Sequence, residues 1–210
     1  MYLGLTGNIA SGKSTAAMFF EKHGCYCIDA DEISRIVMSP GEEAYEGVVR
    51  EFGRGVVRDD DGTLDRKKIR DIVFSDPVKR KVLELIVHPA ILEYEQKAVG
   101  RIKGKDDKAL IITQAALTVE SGSYKRFDAV IVVYTDPKIQ LERVMKRDSI
   151  SMEEARKIIA AQMPIDEKIK YAQFIINNST DMDGLEREVR RVHELIRMVM
   201  KCSKQGGKDA

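Results

Sequence analysis

Short runs of apolar residues alternate along the chain with segments whose apolar residues recur every three or four positions. The first pattern predicts buried β-strands, and the second predicts amphipathic helices. The predicted strands are 2–6, 25–29, 109–113, 129–134 and 173–176. Strands that alternate with helices are typical of a parallel sheet with helices on both faces. The pattern therefore predicts an α/β fold with a parallel five-stranded sheet flanked by helices.

The last predicted helix runs from about Met182 to Val199. Its apolar residues recur at helical spacing, which predicts that one face packs on the core. These residues are Leu185, Val189, Val192, Ile196 and Val199. Residues 201–210 contain Gly206-Gly207 and show no periodicity. We expect them to form a frayed tail.

Two helical insertions interrupt the predicted sheet. Residues 32–104 contain no convincing strand and several helical patterns, punctuated by turn signals such as His88-Pro89. A smaller helical insertion spans 137–172. The single chain of 1–210 thus divides into a core of 1–31, 105–136 and 173–200, a helical lobe and a small second insertion.

Composition narrows the class of protein. The chain has 210 residues, enough for one ordinary domain with insertions, and is 43% hydrophobic. Its 35 Lys and Arg residues are balanced by 34 Asp and Glu residues, so no basic field indicates nucleic acid. No apolar run is long enough to span a bilayer, and a strand so near the N-terminus leaves no room for a signal peptide. We therefore expect a cytoplasmic protein without a membrane or nucleic-acid partner; no feature indicates an oligomeric state.

The three cysteines show no metal-binding spacing. Cys25 and Cys27 alternate within a predicted strand, so they share a face and are interpreted as core residues. Cys202 lies in the predicted tail.

The segment from Gly7 to Ser14 matches the phosphate-loop template G-x-x-x-x-G-K-[ST] at every fixed position. It lies between a predicted strand and a predicted helix, as the template requires. Glycines let the backbone turn tightly and aim N–H groups at a phosphate, Lys13 supplies a full positive charge, and Ser14 offers a hydroxyl to Mg²⁺. The predicted nucleotide-binding residues here are Gly7, Asn8, Ile9, Ala10, Ser11, Gly12, Lys13, Ser14 and Thr15. The sequence therefore predicts nucleotide binding.

The rest of the chain favours a small-molecule kinase over other phosphate-loop proteins. A regulatory GTPase would carry a guanine-reading N-K-x-D sequence, which does not occur. A kinase needs a base near the acceptor hydroxyl, and Asp31 follows the second predicted strand, where ligands of α/β sheets bind. The alternative is that Asp29 or Asp31 only caps the next helix.

A basic segment in the second insertion is a candidate lid over the nucleotide. Arg143 and Arg147 are four residues apart and share a face of a helix. Two guanidinium groups there can hold a triphosphate and stabilise charge in phosphoryl transfer. The alternative is a solvated helix face that also carries Glu142 and Asp148.

Several short stretches along the chain form an ordered set. They are Leu5-Thr6-Gly7 with Gly12-Lys13-Ser14, Ile28-Asp29-Ala30-Asp31, Pro40-Gly41, Phe52-Gly53, Asp61-Gly62-Thr63-Leu64-Asp65-Arg66, Val73-Phe74, His88-Pro89, Gln140-Leu141-Glu142-Arg143, Arg147-Asp148, Gln162 and Asn177-Asn178. In the order and spacing of these stretches, the chain resembles the dephospho-coenzyme A kinase family over nearly its whole length.

The resemblance implies ATP-dependent phosphorylation of the ribose 3′-hydroxyl of dephospho-CoA, with Mg²⁺ accompanying the ATP. It assigns catalytic roles to Asp31, Lys13 and Arg143, and it places dephospho-CoA in the helical lobe, 32–104. The implied substrate-binding residues are Thr6, Asp31, Arg66, His88, Leu117 and Glu120. Arg147 and Asn177 are implied on the nucleotide side, with the lid at 137–172.

Two of these assignments keep a structural alternative. His88 by itself is interpreted as a residue at the C-terminal end of a helix before Pro89. Asn177 by itself is interpreted as a turn residue.

The chain departs from the family pattern in two places. Asn8 and Ala10 stand where the family commonly has glycine, which predicts a slightly stiffer loop. Gln114 stands where the family often has an acid, and a neutral amide can neither balance the charge of Mg²⁺ nor act as a base. Two alternatives remain: another small-molecule kinase, such as a nucleoside monophosphate kinase, or a nucleotide-binding homologue with weakened catalysis.

Overall fold

The computed structural model describes residues 1–205, which form a five-stranded parallel sheet with helices around it. The strands are β1 (Tyr2–Gly7), β2 (Tyr26–Asp29), β3 (Ile111–Gln114), β4 (Ala129–Tyr134) and β5 (Phe174–Asn177). Their order across the sheet is β2-β3-β1-β4-β5. All five predicted strands are confirmed to within two residues.

The helices occupy the predicted helical segments. They are α1 (Lys13–Lys22), α2 (Ala30–Val37), α3 (Glu43–Phe52), α4 (Arg66–Ser75), α5 (Pro77–Lys105), α6 (Pro137–Asp148), α7 (Met152–Ala160), α8 (Ile165–Ile169) and α9 (Met182–Gln205). Short 3₁₀ turns lie at Arg54–Val56 and Ser123–Arg126.

The described chain divides into two compact units. The first contains Met1–Ile28 and everything from Asp106 onward, and the second is Asp29–Lys105. The helical lobe predicted over 32–104 falls inside the second unit, whereas the lid predicted over 137–172 belongs to the first.

In the first unit the sheet is covered on both faces. Along β4, Ile131 and Val133 pack into a core with residues of α1 and α9. Val130 and Val132 point the other way and pack against Ile165 of α8. Since successive strand side chains face opposite sides, the continuous apolar run of β4 is the pattern of a strand buried on both faces.

In the second unit the long helix α5 contacts α2, α3 and α4. His88 and Pro89 lie inside this helix, so the interpretation of His88 as a helix C-terminal residue is wrong. An interior proline removes a helical hydrogen bond and costs about 3 kcal/mol. Val87 beside it is buried and Ile86 is half-buried, and the burial of these apolar side chains offsets part of that cost.

Two details of α9 differ from the prediction. The helix continues to Gln205, so 201–205 are helical, and the remainder of the predicted tail, 206–210, lies outside the described residues. Val199 is 44% exposed, and Met200 packs on the core instead.

The interpretation of Cys25 and Cys27 as core residues is confirmed, because both contribute to the core beside the sheet. Burial raises the pKa of Cys25 to about 11 and that of Cys27 to about 12, so both thiols stay protonated and are poor metal ligands. Among the helices of residues 1–205, none combines the length and apolarity needed to cross a bilayer.

Candidate functional site

The phosphate loop connects β1 to α1, and its backbone geometry explains its glycines. A β-carbon on Gly7 would lie 2.8 Å from the carbonyl oxygen of Val133. Gly12 has a φ of 85°, a left-handed conformation that suits glycine, and a β-carbon there would collide with the side-chain amide of Asn178. Both glycines are therefore required by close packing or by backbone conformation.

Ala10 carries strain within this loop. Its φ is 59°, a left-handed conformation that costs a residue with a β-carbon about 1–2 kcal/mol. An alanine at this position therefore has a local energetic cost that a glycine would not have.

The N-terminus of α1 is open to an anion. Gly12 occupies the N-cap and forms no side-chain cap bond, and the first turn carries no acidic residue. The first amides of α1 and the helix dipole therefore face an anion-binding position.

Ser14 lies exposed in that first turn. Its hydroxyl suits Mg²⁺, which takes oxygen ligands, keeps several waters and uses few protein ligands when it accompanies phosphates. Within residues 1–205 no group of three or more His, Cys, Asp or Glu side chains could hold a metal by itself. The donor set thus fits a magnesium ion that arrives with the nucleotide.

Lys13 contacts the side chain of Gln114. Its Nζ donates to Oε1 of Gln114, at a distance of 3.5 Å. Gln114 is buried at the end of β3. The sequence did not predict this contact between the two side chains.

A cleft beside the loop brings together residues predicted to bind the nucleotide. Ala10, Gly12, Thr15 and Arg143 line it. The rest of its wall comes from the segment after β5, namely Asn178, Thr180, Asp181, Met182 and Leu185. These five were missed by the sequence analysis, although the polar run that follows the last strand could have indicated them.

Arg143 is held at this cleft by backbone oxygens. Its Nη1 donates to the carbonyl of Asn178 and its Nη2 to that of Thr180, each at 3.0 Å. A guanidinium group has five N–H donors, so others remain for a ligand.

The two remaining nucleotide-side predictions have different surroundings. Arg147 forms a two-pronged ion pair with Asp148, with both distances 2.8 Å, and is exposed. Asn177 is exposed, and its Oδ1 accepts from the amide of Ser179, as in a turn. Its neighbour Asn178 is the residue that lines the cleft.

The segment after β3 is tied to the core by side chains. The hydroxyl of Thr6 donates to the carbonyl of Ala116, as does Nζ of Lys168. Lys168 is fully buried and also pairs with Glu120 at 2.9 Å. Thr6 and Glu120, both implied to bind substrate, therefore hold this segment in place, while Leu117 on the same segment is 48% exposed.

In the second unit, Asp31 is the second residue of α2. The cap of this helix is Asp29, whose Oδ1 accepts from the amides of Asp31 and Glu32 at 2.8 and 3.3 Å. Asp31 is exposed and lines a cleft with Asp29, Glu32, Arg35, Ile36 and Ser39. The helix-cap alternative thus holds for Asp29 and not for Asp31.

Arg66 begins α4. Partial burial lowers the pKa of Arg66, and the positive charge of Arg35 acts in the same direction. Two cationic groups that influence each other in this way form a field that favours an anion. His88 is exposed on α5.

The phosphate loop follows the central strand of a parallel sheet ordered β2-β3-β1-β4-β5, and helical segments are inserted after β2 and β4. This architecture, with its lysine and the adjoining cleft, is that of a P-loop kinase.

Comparisons with known proteins identify the family. The model of the family described as dephospho-CoA kinase matches residues 1–184. The dephospho-CoA kinase of Aquifex aeolicus is 41% identical over 192 residues, 91% of this chain and 95% of the relative. The chain belongs to the dephospho-CoA kinase family.

Solved structures agree with this assignment. The dephospho-CoA kinase from Campylobacter jejuni superposes with a TM-score of 0.69 at 31% identity, over 93% of this chain and 96% of that one. The structure of TT1252 from Thermus thermophilus superposes with a TM-score of 0.79 at 32% identity, over 92% of this chain and 96% of that one. The comparisons give no support to a nucleoside monophosphate kinase or to a weakened homologue.

Proposed function

We propose that this chain transfers the γ-phosphoryl group of ATP to the ribose 3′-hydroxyl of dephospho-CoA, producing coenzyme A and ADP. The observation that carries the proposal is the family match over residues 1–184, which includes the phosphate loop and the whole second unit. The three free cysteines suit the reducing cytoplasm, where we expect the reaction to take place.

In this proposal, ATP lies on the phosphate loop with its phosphates at the N-terminus of α1. Lys13 carries the positive charge that the β- and γ-phosphates meet, and Gln114 helps to hold its ammonium group. The nucleoside occupies the cleft lined by Arg143 and the segment after β5. Mg²⁺, bound through Ser14 and the phosphates, supplies further charge neutralisation.

Asp31 is the proposed general base. Its carboxylate accepts the proton of the 3′-hydroxyl as that oxygen bonds to the γ-phosphorus and the bond to ADP breaks. The choice of Asp31 rests on its exposure at the start of α2 and on the use of Asp29 as the helix cap. The strand before it, β2, belongs to the same parallel sheet as the strand before the phosphate loop.

The acceptor is proposed to occupy the second unit. Arg35 and Arg66 form a cationic field there that suits the phosphates of dephospho-CoA. His88 is proposed as a further contact, and Leu117 offers exposed apolar surface from the segment after β3. Arg147, which pairs with Asp148, and Asn177 are proposed on the nucleotide side.

The test is to mix the purified chain with Mg-ATP and dephospho-CoA and to detect coenzyme A by mass spectrometry. We expect stoichiometric coenzyme A and ADP. The matched control is Lys13→Ala, which should abolish transfer and leave the melting temperature unchanged. Transfer to nucleoside monophosphates in place of dephospho-CoA, or near wild-type turnover by Lys13→Ala, would contradict the proposal.

A further inference from the structure

Two glutamines hydrogen-bond to the backbone of a single residue of the phosphate loop, one to its N–H and one to its carbonyl. The backbone N–H of Ile9 donates to Oε1 of Gln162 at 2.7 Å. The backbone carbonyl of Ile9 accepts from Nε2 of Gln140 at 2.9 Å. Gln140 is 4% exposed and Gln162 is half-buried. We call this pair, Gln140 and Gln162, the glutamine clamp.

The clamp lies next to the strained part of the loop. Ala10, directly after Ile9, has the left-handed φ of 59°, and such a conformation persists only where its surroundings hold it. On the other side of Ala10, the carbonyl of Ser11 accepts from Asn178 at 2.7 Å and from Thr135 at 3.2 Å. The backbone of the loop is therefore fixed by side chains on both flanks of its strained residue.

Both glutamines come from the second insertion of the sequence, 137–172. Gln140 lies on α6, one turn before Arg143, and Gln162 lies in the connection between α7 and α8. A third contact joins the same parts, because Nδ2 of Asn8 donates to the carbonyl of Met163 at 3.0 Å. Three hydrogen bonds therefore join this insertion to the phosphate loop, so the position of the insertion affects the backbone of the loop.

We propose that Gln140 and Gln162 are positioning residues for the nucleotide. They hold the two peptide groups that flank the Cα of Ile9, so that the amides from Ala10 onward face the phosphates before ATP arrives. Binding then needs little ordering of the loop, which strengthens binding by preorganisation. This inference rests on the proposed function, because it assumes that the loop binds the phosphates of ATP.

The decisive variant is Gln162→Met, which keeps the length of the side chain and removes its acceptor. The matched control is Gln173→Met, because Oε1 of Gln173 also accepts a backbone N–H, that of Val130, at 2.8 Å, but does not belong to the clamp. The measurements are the calorimetric Kd of Mg-ADP, the KM values for ATP and dephospho-CoA, kcat and the melting temperature.

We expect Gln162→Met to weaken Mg-ADP binding by about three- to tenfold, the net effect of one lost hydrogen bond. The KM for ATP should rise by a similar factor, with kcat and the KM for dephospho-CoA within twofold of wild type. Gln173→Met should lower the melting temperature at most and leave the Kd of Mg-ADP unchanged.

A pH profile provides a readout that a purely structural role would not change. In Gln140→Glu the side chain can donate to the Ile9 carbonyl only when it is protonated. Gln140 is 4% exposed, and burial would raise the pKa of a glutamate at this position above its usual value of about 4.3. The ratio of the variant's Kd for Mg-ADP to the wild-type Kd at the same pH should therefore fall toward one as the pH is lowered from 8 to 6.

The proposal is overturned if Gln162→Met, folded by its circular dichroism, binds Mg-ADP as tightly as wild type. It is also overturned if Gln173→Met weakens binding equally, since the effect would then be general loosening. Failure of the wild-type chain to bind Mg-ADP would instead contradict the proposed function. If the wild-type chain binds Mg-ADP but does not phosphorylate dephospho-CoA, the proposed acceptor is wrong, whereas the proposal for the glutamine clamp still stands.

Discussion

At the residue scale, two neighbouring carboxylates have different surroundings. Asp29 is committed to the N-terminus of α2, whereas Asp31, two residues later, is exposed in the adjoining cleft. The sequence could not distinguish them, because either residue type at either position can cap a helix.

Asp31→Asn tests the proposed base. The substitution keeps size and hydrogen bonding and removes the proton acceptor, so turnover should fall by about a hundredfold to ten-thousandfold. The affinity for ATP, measured by calorimetry, should change little. Asp29→Asn is the control, because Asn also caps helices and should keep turnover within severalfold. If the two variants show the reverse order of turnover, the base has been assigned to the wrong carboxylate.

Gln114 is the second residue whose interpretation changed once its contacts in the structure were known. From the sequence it is only a missing acid, but in the structure its Oε1 accepts from Lys13. A glutamate could accept the same bond and would add a negative charge, so Gln114→Glu should raise turnover or tighten magnesium binding, in either case by modest factors. Gln114→Leu removes the acceptor and should lower turnover. Equal steady-state kinetics for Gln114→Leu and wild type would show that this contact does not position the lysine.

At the element scale, helix α8 is attached to the segment after β3 by a buried ion pair. Lys168 is fully buried, and the side chain of Glu120 is 21% exposed. This difference predicts an asymmetry, because the loss of one partner leaves the other charge without compensation, and that is costly only where water cannot reach it.

Glu120→Ala should therefore lower the free energy of unfolding by about 3 kcal/mol, since it strands the buried ammonium group of Lys168. Lys168→Met should cost only about 1 kcal/mol, because Glu120 can turn to water. Urea unfolding of both variants measures this. A larger loss for Lys168→Met than for Glu120→Ala would mean that packing, and not charge burial, dominates this contact.

At the scale of the whole molecule, we expect stability to depend on pH through the contact between α9 and His23, the residue that caps the C-terminus of α1. His193 on α9 stacks on His23, with ring centroids 5.3 Å apart, and its Nε2 accepts from Nε of Arg197 at 3.3 Å. Burial lowers the pKa of His193 below its usual 6.5, the charges of Arg197 and His23 act in the same direction, and Glu194 opposes them.

Because the folded state binds this proton less readily than the unfolded chain, stability should be complete above pH 6.5. It should fall as the pH drops from 6.5 through the lower folded pKa. Chemical denaturation between pH 7.5 and 5.5 measures this decline. His193→Gln should flatten the decline in that window, and an unchanged slope in the variant would assign the effect to other groups.

The sequence by itself determined the strands, most of the helices, the phosphate loop and the family. Each of these features is a pattern within a short segment of the chain: the apolar run of a strand, the helical spacing of Leu185 to Ile196, and the fixed positions from Gly7 to Ser14. Strands and helices can be recognised from residues close together in the sequence, because backbone geometry imposes side-chain periods of two and 3.6 residues.

Only the tertiary structure decided which polar side chains hold the site together. Gln140 and Gln162 meet Ile9 across 131 and 153 positions of sequence, and Asn178 lines the cleft beside the phosphate loop. Tertiary structure also decided that α5 continues through Pro89, although proline disfavours the interior of a helix. The physical reason is that a hydrogen bond, a buried charge or a packed helix depends on what the folded chain places beside it, and no local pattern contains that information.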